Sequence, residues 1–279
     1  MFIWIQPMTA IPIFCVDAFT DTPFTGNPAA VCVLPHDQPD EWMQSLANEM
    51  NLSETAFARE SGKNTFSLRW FTPMVEVDLC GHATLASAYA LWEKGYADKT
   101  APILFDTRSG RLAATLSDKG VTLDFPLVAP EPCEEPEGLF AALGGAAPQA
   151  FMKAGPDYLV ELCCADDVRR ATPDFSTLAK IPMRGVIVTA GGDAPDVDFV
   201  SRFFAPAVGI NEDPVTGSSH CALGPYWMGK TGKNILTARQ VSRRGGTVFV
   251  EVKNSAVSLE GGAVMIWEGM IYLSHPAFK

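Results

Sequence analysis

The stretch "RFFAPAVGINEDPVTGSSH", residues 202–220, repeats an earlier stretch of the same chain, "RWFTPMVEVDLCGHATLAS", residues 69–87. The heptapeptides RFFAPAV and RWFTPMV match without a gap, and Cys80 and Asp213 each stand seven residues after the shared proline. A glycine that opens an apolar helical pattern follows in both copies. Agreement over a strand, a turn and a helix favours internal duplication. The chain is therefore predicted to form two similar lobes, with a ligand site in the cleft between them.

The rest of the sequence is rich in short strand patterns. Runs such as PILFDT and TVFVEV combine β-branched and aromatic residues with alternation, and end in turn residues. Two segments have helical periodicity instead: residues 39–51, PDEWMQSLANEMN, and residues 81–95, GHATLASAYALWEKG. The second is too apolar for a surface helix and is predicted to lie inside a curved sheet. The expected fold class is α/β, of the α+β kind.

Composition restricts the class of partner. The 279 residues are 47% hydrophobic and carry a formal net charge of −11, with the first Lys or Arg at position 59. This charge argues against nucleic acid and anionic membranes, so a small molecule is the expected partner. The apolar start lacks a basic n-region and a run of about 18 apolar residues, which predicts a soluble, cytoplasmic protein. Seven scattered cysteines do not suggest a disulfide framework.

The two repeated loops are candidate anion sites. Each ends at a predicted helix N-terminus, where unpaired backbone N–H groups and the helix dipole attract negative charge. Gly81 and Gly217 permit close approach of a ligand, and hydroxyl groups of Thr84, Thr216, Ser218 and Ser219 are possible donors. A carboxylate-bearing substrate would suit two such ends. The alternative interpretation makes the glycines turn formers and the hydroxyl groups ordinary caps.

Several side chains near these loops are candidate proton carriers. A thiol at Cys80 and a carboxylate at Asp213 could act on opposite faces of one carbon. His82 and His220 are near as well, although either could have a structural role. Glu54, in the segment NLSETAF, has apolar neighbours that would partly desolvate an inward-facing carboxylate and suit it to general acid/base work.

Four other site types fit poorly. Residues 224–231, GPYWMGKT, satisfy the P-loop pattern, but a helical segment precedes them and bulky residues fill the loop. A zinc site built from Cys80, His82, His220 and Cys221 lacks usual ligand spacing. The chain has neither a G-x-S-x-G elbow nor a G-x-G-x-x-G dinucleotide motif. No cofactor and no metal are therefore expected.

Four separated segments resemble the phenazine-biosynthesis isomerase (PhzF-like) family: VDAFTDTPFTGNPAAVCVL, NLSETAF, FTPMVEVDLCGHATLASAYAL and EDPVTGSSHCALGPYW. The resemblance runs from about Ile11 to the C-terminus. It implies a diaminopimelate epimerase-like fold, in which each of two pseudo-symmetric lobes is a curved, mostly antiparallel sheet or barrel around a central helix. It also implies a homodimer.

The resemblance assigns roles residue by residue. The family's proton-shuttling glutamate falls on Glu54, its histidine on His82, its aspartate on Asp213 and its serine on Ser218. Gly81 and Gly217 match the glycines whose amides meet the substrate carboxylate, and we place Cys80 and Thr216 among the substrate-binding residues with them. At the position of Cys80 the phenazine enzyme has a small residue instead of a cysteine. Diaminopimelate epimerase, by contrast, has a catalytic cysteine in the matching loop.

These observations predict a first lobe at residues 11–118, completed by a C-terminal strand at about 266–279, and a second lobe at 119–265. The predicted function is cofactor-independent isomerisation of a small carboxylate compound, with Glu54, His82 and Asp213 as catalytic residues. One alternative is a racemase or epimerase that uses Cys80 and Asp213. Another is a metabolite-binding protein without catalytic activity.

Overall fold

A computed structural model describes residues 10–144 and 147–273 of the chain. These residues form eighteen strands that are hydrogen-bonded into one sheet, with few helices. The predicted mixed α/β class is confirmed.

The strands fall into two sets with the same order of pairing. The first set is β1 (Ala10–Ala18), β2 (Asn27–Val33), β3 (Glu54–Gly62), β4 (Thr65–Phe71), β5 (Glu76–Val77), β6 (Ile103–Thr107), β7 (Gly110–Ser117) and β8 (Gly120–Pro126). The second set is β10 (Ala150–Ala154), β11 (Asp157–Glu161), β12 (Val186–Gly191), β13 (Phe199–Ala205), β14 (Ile210–Asp213), β15 (Ile235–Gln240), β16 (Gly246–Val252) and β17 (Ala256–Gly261). Two further strands are β9 (Glu131–Pro132) and β18 (Ala263–Tyr272).

Pairing repeats step by step between the sets. In the first, β1–β2 is antiparallel, β2–β3 parallel, β3–β4 antiparallel and β4–β6 parallel, followed by the antiparallel pairs β6–β7 and β7–β8. The second set repeats this pattern from β10 to β17. Such agreement in backbone topology is what duplication predicts. An antiparallel pair, β8–β17, joins the two sets into one sheet.

The helices are α1 (Asp40–Met50), α2 (Gly81–Glu93), α3 (Leu139–Leu143), α4 (Ala165–Arg170), α5 (Phe175–Leu178) and α6 (Gly217–Thr231). Most residues of α2 are buried, because this apolar helix packs against β1, β2, β3 and β8. Helix α6 packs against β15, β16 and β17 in the second set. The helices predicted at residues 39–51 and 81–95 therefore form as α1 and α2, and the apolar helix α2 lies inside a sheet as expected.

A strand from elsewhere in the chain extends each set. β9 pairs with β10, whereas β18 runs antiparallel to β1 along most of its length. The lobe boundaries at 11–118, 119–265 and 266–279 stay predictions, and residues 274–279 lie outside the described part of the chain. The repeated pairing places α2 and α6 in equivalent positions, with their N-termini facing each other.

Candidate active site

The N-termini of α2 and α6 almost touch. A Cβ atom placed on Gly81 would lie 3.7 Å from the Cα of Gly217, and the reverse distance is also 3.7 Å. The extended residue before each helix is Cys80 in α2 and Thr216 in α6. The unpaired backbone N–H groups of both helix N-termini therefore lie close together, which is the arrangement that binds an anion.

The ungapped sequence alignment of the two repeats does not bring the first residues of α2 and α6 to equivalent positions. Cys80 and Asp213 share their distance from the proline, but Thr216 is the residue that occupies the position of Cys80 before its helix. The second loop is three residues longer, so Asp213 ends β14 instead of preceding α6 directly. The structural counterpart of Cys80 is therefore Thr216.

A cavity of about 500 Å³ opens at these helix starts. All eight residues predicted as catalytic or substrate-binding line it: Glu54, Cys80, Gly81, His82, Asp213, Thr216, Gly217 and Ser218. Much of the remaining wall is apolar, with Val77, Leu79, Phe125, Val128, Phe203 and Ile210. The cavity therefore combines a polar floor with an apolar wall, the usual composition of a small-molecule site.

Glu54 and His82 form the central pair of the cavity. Glu54 begins β3 and is 9% exposed, while His82 is the second residue of α2 and is 4% exposed. Their Oε2 and Nε2 atoms lie 3.1 Å apart. Neither atom makes an aligned hydrogen bond within the described part of the chain. A buried polar atom without a hydrogen-bond partner destabilises the folded protein, so a ligand that bonds to either atom would be favoured.

Asn27 connects this pair to the second set of strands. Its side-chain amide donates to Asp213 Oδ1 at 2.8 Å and to the carbonyl of Val215 at 2.9 Å, and it lies 3.2 Å from His82 Nδ1. Because the two amide hydrogens are donated to Asp213 and Val215, Asn27 holds Asp213 beside the His82 ring, which it contacts.

Asp213 is held from several sides. Thr216 Oγ1 donates to its Oδ2 at 2.6 Å, and the Gln240 amide donates to its main-chain carbonyl at 2.7 Å. Burial raises the pKa of Asp213 to about 6, partly opposed by the nearby His82 ring and reinforced by Glu54. Asp213 is therefore a fixed and weakly acidic group next to the cavity.

Burial also governs the other two ionisable groups of the first loop. It raises the pKa of the Cys80 thiol to about 11, with help from the Glu54 carboxylate. It acts to lower the pKa of His82, but the adjacent Cys80 sulfur and Glu54 carboxylate outweigh it and hold that pKa well above the usual range. Burial thus keeps the thiol protonated at neutral pH, and the raised pKa favours the protonated form of the His82 imidazole.

Arg184 is a site residue that the sequence patterns did not identify. It stands two residues before β12, and its Nη2 atom donates to Ser218 Oγ at 3.0 Å in the first turn of α6. Nothing in the surrounding IPMRGVIV marks it as functional. Asn27 and Gln240 were missed as well, although Asn27 lies in the segment TGNP that contributes to the family resemblance.

Several other candidates from the sequence lie away from the cavity. The ring of His220 is buried against Phe199, and its Nδ1–H donates to the carbonyl of Thr216 at 2.8 Å. Burial lowers the pKa of His220 to about 4, which keeps it neutral. Thr84 donates to the carbonyl of Cys80 within α2, and Ser219 is buried. Residues 224–231, the P-loop pattern, lie within α6.

A group of donors suitable for a metal exists within the same site. One ligand atom from each of Glu54, Cys80 and His82 lies within 4.8 Å of the others. Oxygen, sulfur and nitrogen donors at such distances are compatible with a zinc ion. This set differs from the four residues considered from the sequence, since it replaces His220 and Cys221 with Glu54.

Residues 16–269 match the family model described as phenazine biosynthesis-like protein. The chain belongs to this family. A relative from Halalkalibacterium halodurans named an uncharacterized isomerase is 47% identical over 271 residues, which cover 95% of this chain and 100% of the relative. A second uncharacterized isomerase, from Pseudomonas aeruginosa, is 47% identical over 94% of this chain and 99% of the relative. The phenazine biosynthesis-like chain is accordingly an isomerase.

Solved structures agree with this assignment. The crystal structure of a phenazine biosynthesis protein of the PhzF family from Enterococcus faecalis superposes with a TM-score of 0.90 at 44% identity, covering 95% of this chain and 100% of that chain. The phenazine biosynthesis-like chain thus has the PhzF fold expected from its sequence, which solved structures described as epimerases share. No helix in the described ranges is long and apolar enough to cross a bilayer.

Proposed function

We propose that this isomerase moves a proton between two carbons of a small carboxylate metabolite without a cofactor, with Glu54 as general acid and base. Glu54 carries the proton, His82 orients the Glu54 carboxylate, and Asp213 holds its place beside His82 through Asn27. The substrate carboxylate binds at the facing N-termini of α2 and α6.

One observation carries this proposal. Glu54 Oε2 and His82 Nε2 are buried, lie 3.1 Å apart in the cavity and make no aligned hydrogen bond within the described residues. They lie beside two helix N-termini whose first residues are both glycine. A base with an unused oxygen next to an anion-binding site is the arrangement that proton abstraction near a carboxylate needs.

The proposed reaction balances without any further reagent. Glu54 takes a proton from one carbon, and the electron pair of the broken C–H bond passes into the conjugated system of the substrate. Backbone amides at Gly81 and Gly217 stabilise the negative charge that develops there. Protonated Glu54 then returns the proton to a second carbon, so that substrate and product have the same atoms. A positioned proton carrier of this kind contributes about 10² to 10⁴-fold in rate.

Replacement of the carboxylate tests the proposal. Small unsaturated carboxylic acids are incubated with enzyme in D2O, and NMR follows isomerisation and deuterium uptake. We expect Glu54→Gln to abolish both, because an amide keeps the shape but does not accept the proton. The matched control is Glu60→Gln, since Glu60 is an exposed residue on the same strand. Undiminished turnover by Glu54→Gln would contradict the proposal.

A second candidate function is epimerisation by Cys80 and Asp213. The observation in its favour is that the Cys80 sulfur lines the cavity 3.5 Å from His82 Nδ1, which could accept a thiol proton. Against it, burial raises the pKa of Cys80 to about 11, so little thiolate forms at neutral pH. Loss of deuterium exchange in Cys80→Ser, with retention in Glu54→Gln, would favour this candidate over the first.

The homodimeric state and the cytoplasmic location are also proposals. They rest on the family and on the absence of any bilayer-spanning helix in the described residues. Light scattering on the purified protein measures the oligomeric state directly, and a mass of one chain, 30.1 kDa, would contradict the homodimer.

A further inference from the structure

The cavity contains a cation that the proposed proton transfer does not use. Among the described residues that line it, Arg184 is the one lysine or arginine, whereas Glu54 and Asp213 are acidic. The side chain of Arg184 is 36% exposed, so it reaches the cavity without being fully buried.

The guanidinium of Arg184 is fixed in orientation. Its Nε donates to Asp157 Oδ1 at 2.8 Å and its Nη2 to Oδ2, while the Asp157 side chain is only 3% exposed. The ring of Phe203 lies beneath it, 5.4 Å from the guanidinium carbon. These contacts occupy two of the three nitrogens. Within residues 10–144 and 147–273, Nη1 has no hydrogen-bond acceptor.

The position of Arg184 complements α6. Its Nη2 atom donates to the Ser218 hydroxyl in the first helical turn, and Ser218 follows Gly217 at the start of the helix. A guanidinium and a helix N-terminus on one side of a cavity both favour an anion. The free Nη1 edge adds two N–H donors to the backbone amides of α6.

The two sets of strands contribute different functional groups to the cavity. The first residue of β2 is Asn27, which contacts His82 and Asp213. The first residue of the equivalent strand β11 is Asp157, which holds Arg184. The first set thus carries the proton-transfer pair, and the second set carries the cation.

We propose that Arg184 is a specificity-determining residue that binds the substrate carboxylate together with the N-terminal amides of α6. This inference rests on the proposed function and names its substrate class: an acid with one carboxylate at Arg184 and an apolar alkyl or aromatic body. That body lies along the wall formed by Val77, Phe125 and Val128, with its reacting carbons toward Glu54.

Binding of simple probes tests this inference without turnover. Benzoate supplies the carboxylate and an apolar ring, and benzamide is its neutral counterpart of the same shape. Affinities of both are measured by NMR titration for wild type, Arg184→Gln, Arg184→Lys and Arg202→Gln. Arg202 is the matched control, because it pairs with Glu212 and stacks on Phe204 in the second set but does not line the cavity.

We expect Arg184→Gln to weaken benzoate binding roughly tenfold to a hundredfold, as loss of a charge-assisted hydrogen bond does. Arg184→Lys should be intermediate, since it keeps the charge but loses the planar fork. Benzamide affinity should stay unchanged in all variants, as should benzoate affinity in Arg202→Gln. If Arg184→Gln does not fold because Asp157 is left unpaired, the double variant Asp157→Asn/Arg184→Gln removes both charges and should show the same loss.

Three results would overturn the inference: equal benzoate affinity in a folded Arg184 variant, equal loss in Arg202→Gln, or no benzoate binding to wild type at about 10 mM, above the range of a weak millimolar ligand. Glu54→Gln should retain benzoate binding. Turnover that is independent of Glu54 therefore contradicts only the proposed function, whereas benzoate affinity that is independent of Arg184 contradicts only this inference.

Discussion

His82 Nε2 lies 3.1 Å from Glu54 Oε2, and the side chains of both residues are almost completely buried. The first belongs to the central helix α2 and the second to the start of β3, so the fold holds them in contact through two rigid elements. A carboxylate beside a buried imidazole favours the protonated form of the ring and raises its pKa. The proton that His82 holds in the folded state is the basis of the first prediction.

Replacement of His82 by Asn should remove a pH-dependent part of the stability. Because the pKa of His82 is raised in the folded state, its protonated form stabilises the fold below the unfolded pKa, and this stabilisation is lost as the pH rises through the folded pKa. The free energy of unfolding of wild type minus that of His82→Asn should fall as the pH rises above about 6.5. Urea unfolding at several pH values measures this, and parallel curves would contradict it.

Asp213 gives a second pH prediction. The pKa of Asp213 is raised to about 6, so the folded state binds this proton more tightly than the unfolded chain between pH 4 and 6. Ionisation of Asp213 therefore costs the native state roughly 3 kcal/mol. Relative to Asp213→Asn, wild type should lose about that much free energy of unfolding between about pH 4 and 7. An unchanged difference across this range is the result that would refute it.

Addition of a single methyl group at Gly81 should abolish activity while leaving stability almost unchanged. An added Cβ would lie 3.5 Å from Phe125 and 3.7 Å from Gly217, which are ordinary contacts, so Gly81→Ala should fold. The methyl group nevertheless fills the space between the two helix N-termini where the carboxylate is proposed to bind. We expect thermal stability within about 1 kcal/mol of wild type but loss of turnover.

The control for this substitution is Gly229→Ala. Gly229 is exposed in α6, and no atom lies within 4 Å of an added Cβ. This variant should gain up to about 1 kcal/mol of stability and keep full activity, because Ala is favoured over Gly inside a helix. If both alanine variants keep full turnover, the carboxylate does not bind at Gly81.

The thiol of Cys80 should be unreactive and dispensable. With its pKa raised to about 11 it is protonated at pH 7, and it is 7% exposed. Iodoacetamide should modify Cys80 far more slowly than the exposed Cys163 and Cys164, as read by mass spectrometry of peptides. Cys80→Ala should keep most of the isomerase activity, whereas a thiol-dependent epimerase would lose it.

The eight residues singled out in the sequence line one cavity, but their mutual arrangement did not follow from the sequence. Residues 69–87 and 202–220 identified the duplication because hydrophobic pattern, turn proline and helix glycine all recur, and each of these follows from local physical rules. The three extra residues before Gly217 shifted the helix start, so the ungapped match paired Cys80 with Asp213 instead of Thr216. Loop length does not follow from hydrophobic pattern.

Arg184 shows why part of the site escaped prediction. An arginine before a buried strand is common, and the proposed role of Arg184 depends on Asp157 and Ser218, which come from two other elements of the structure. Asn27 is similar, since its three polar neighbours include His82 and Asp213, 55 and 186 residues away in sequence. Contacts at such separations arise from topology, and a pattern read along the chain does not contain them.

The pairing of β1 with β18 gives this enzyme an order of assembly. β1 is complete early in synthesis, but its neighbour on one side spans Ala263–Tyr272 and emerges some 250 residues later. Until then β1 has an open edge that other chains can pair with. Contacts between such distant segments also slow folding. Until β18 pairs with it, the first half of the chain therefore carries the open strand edge that favours aggregation.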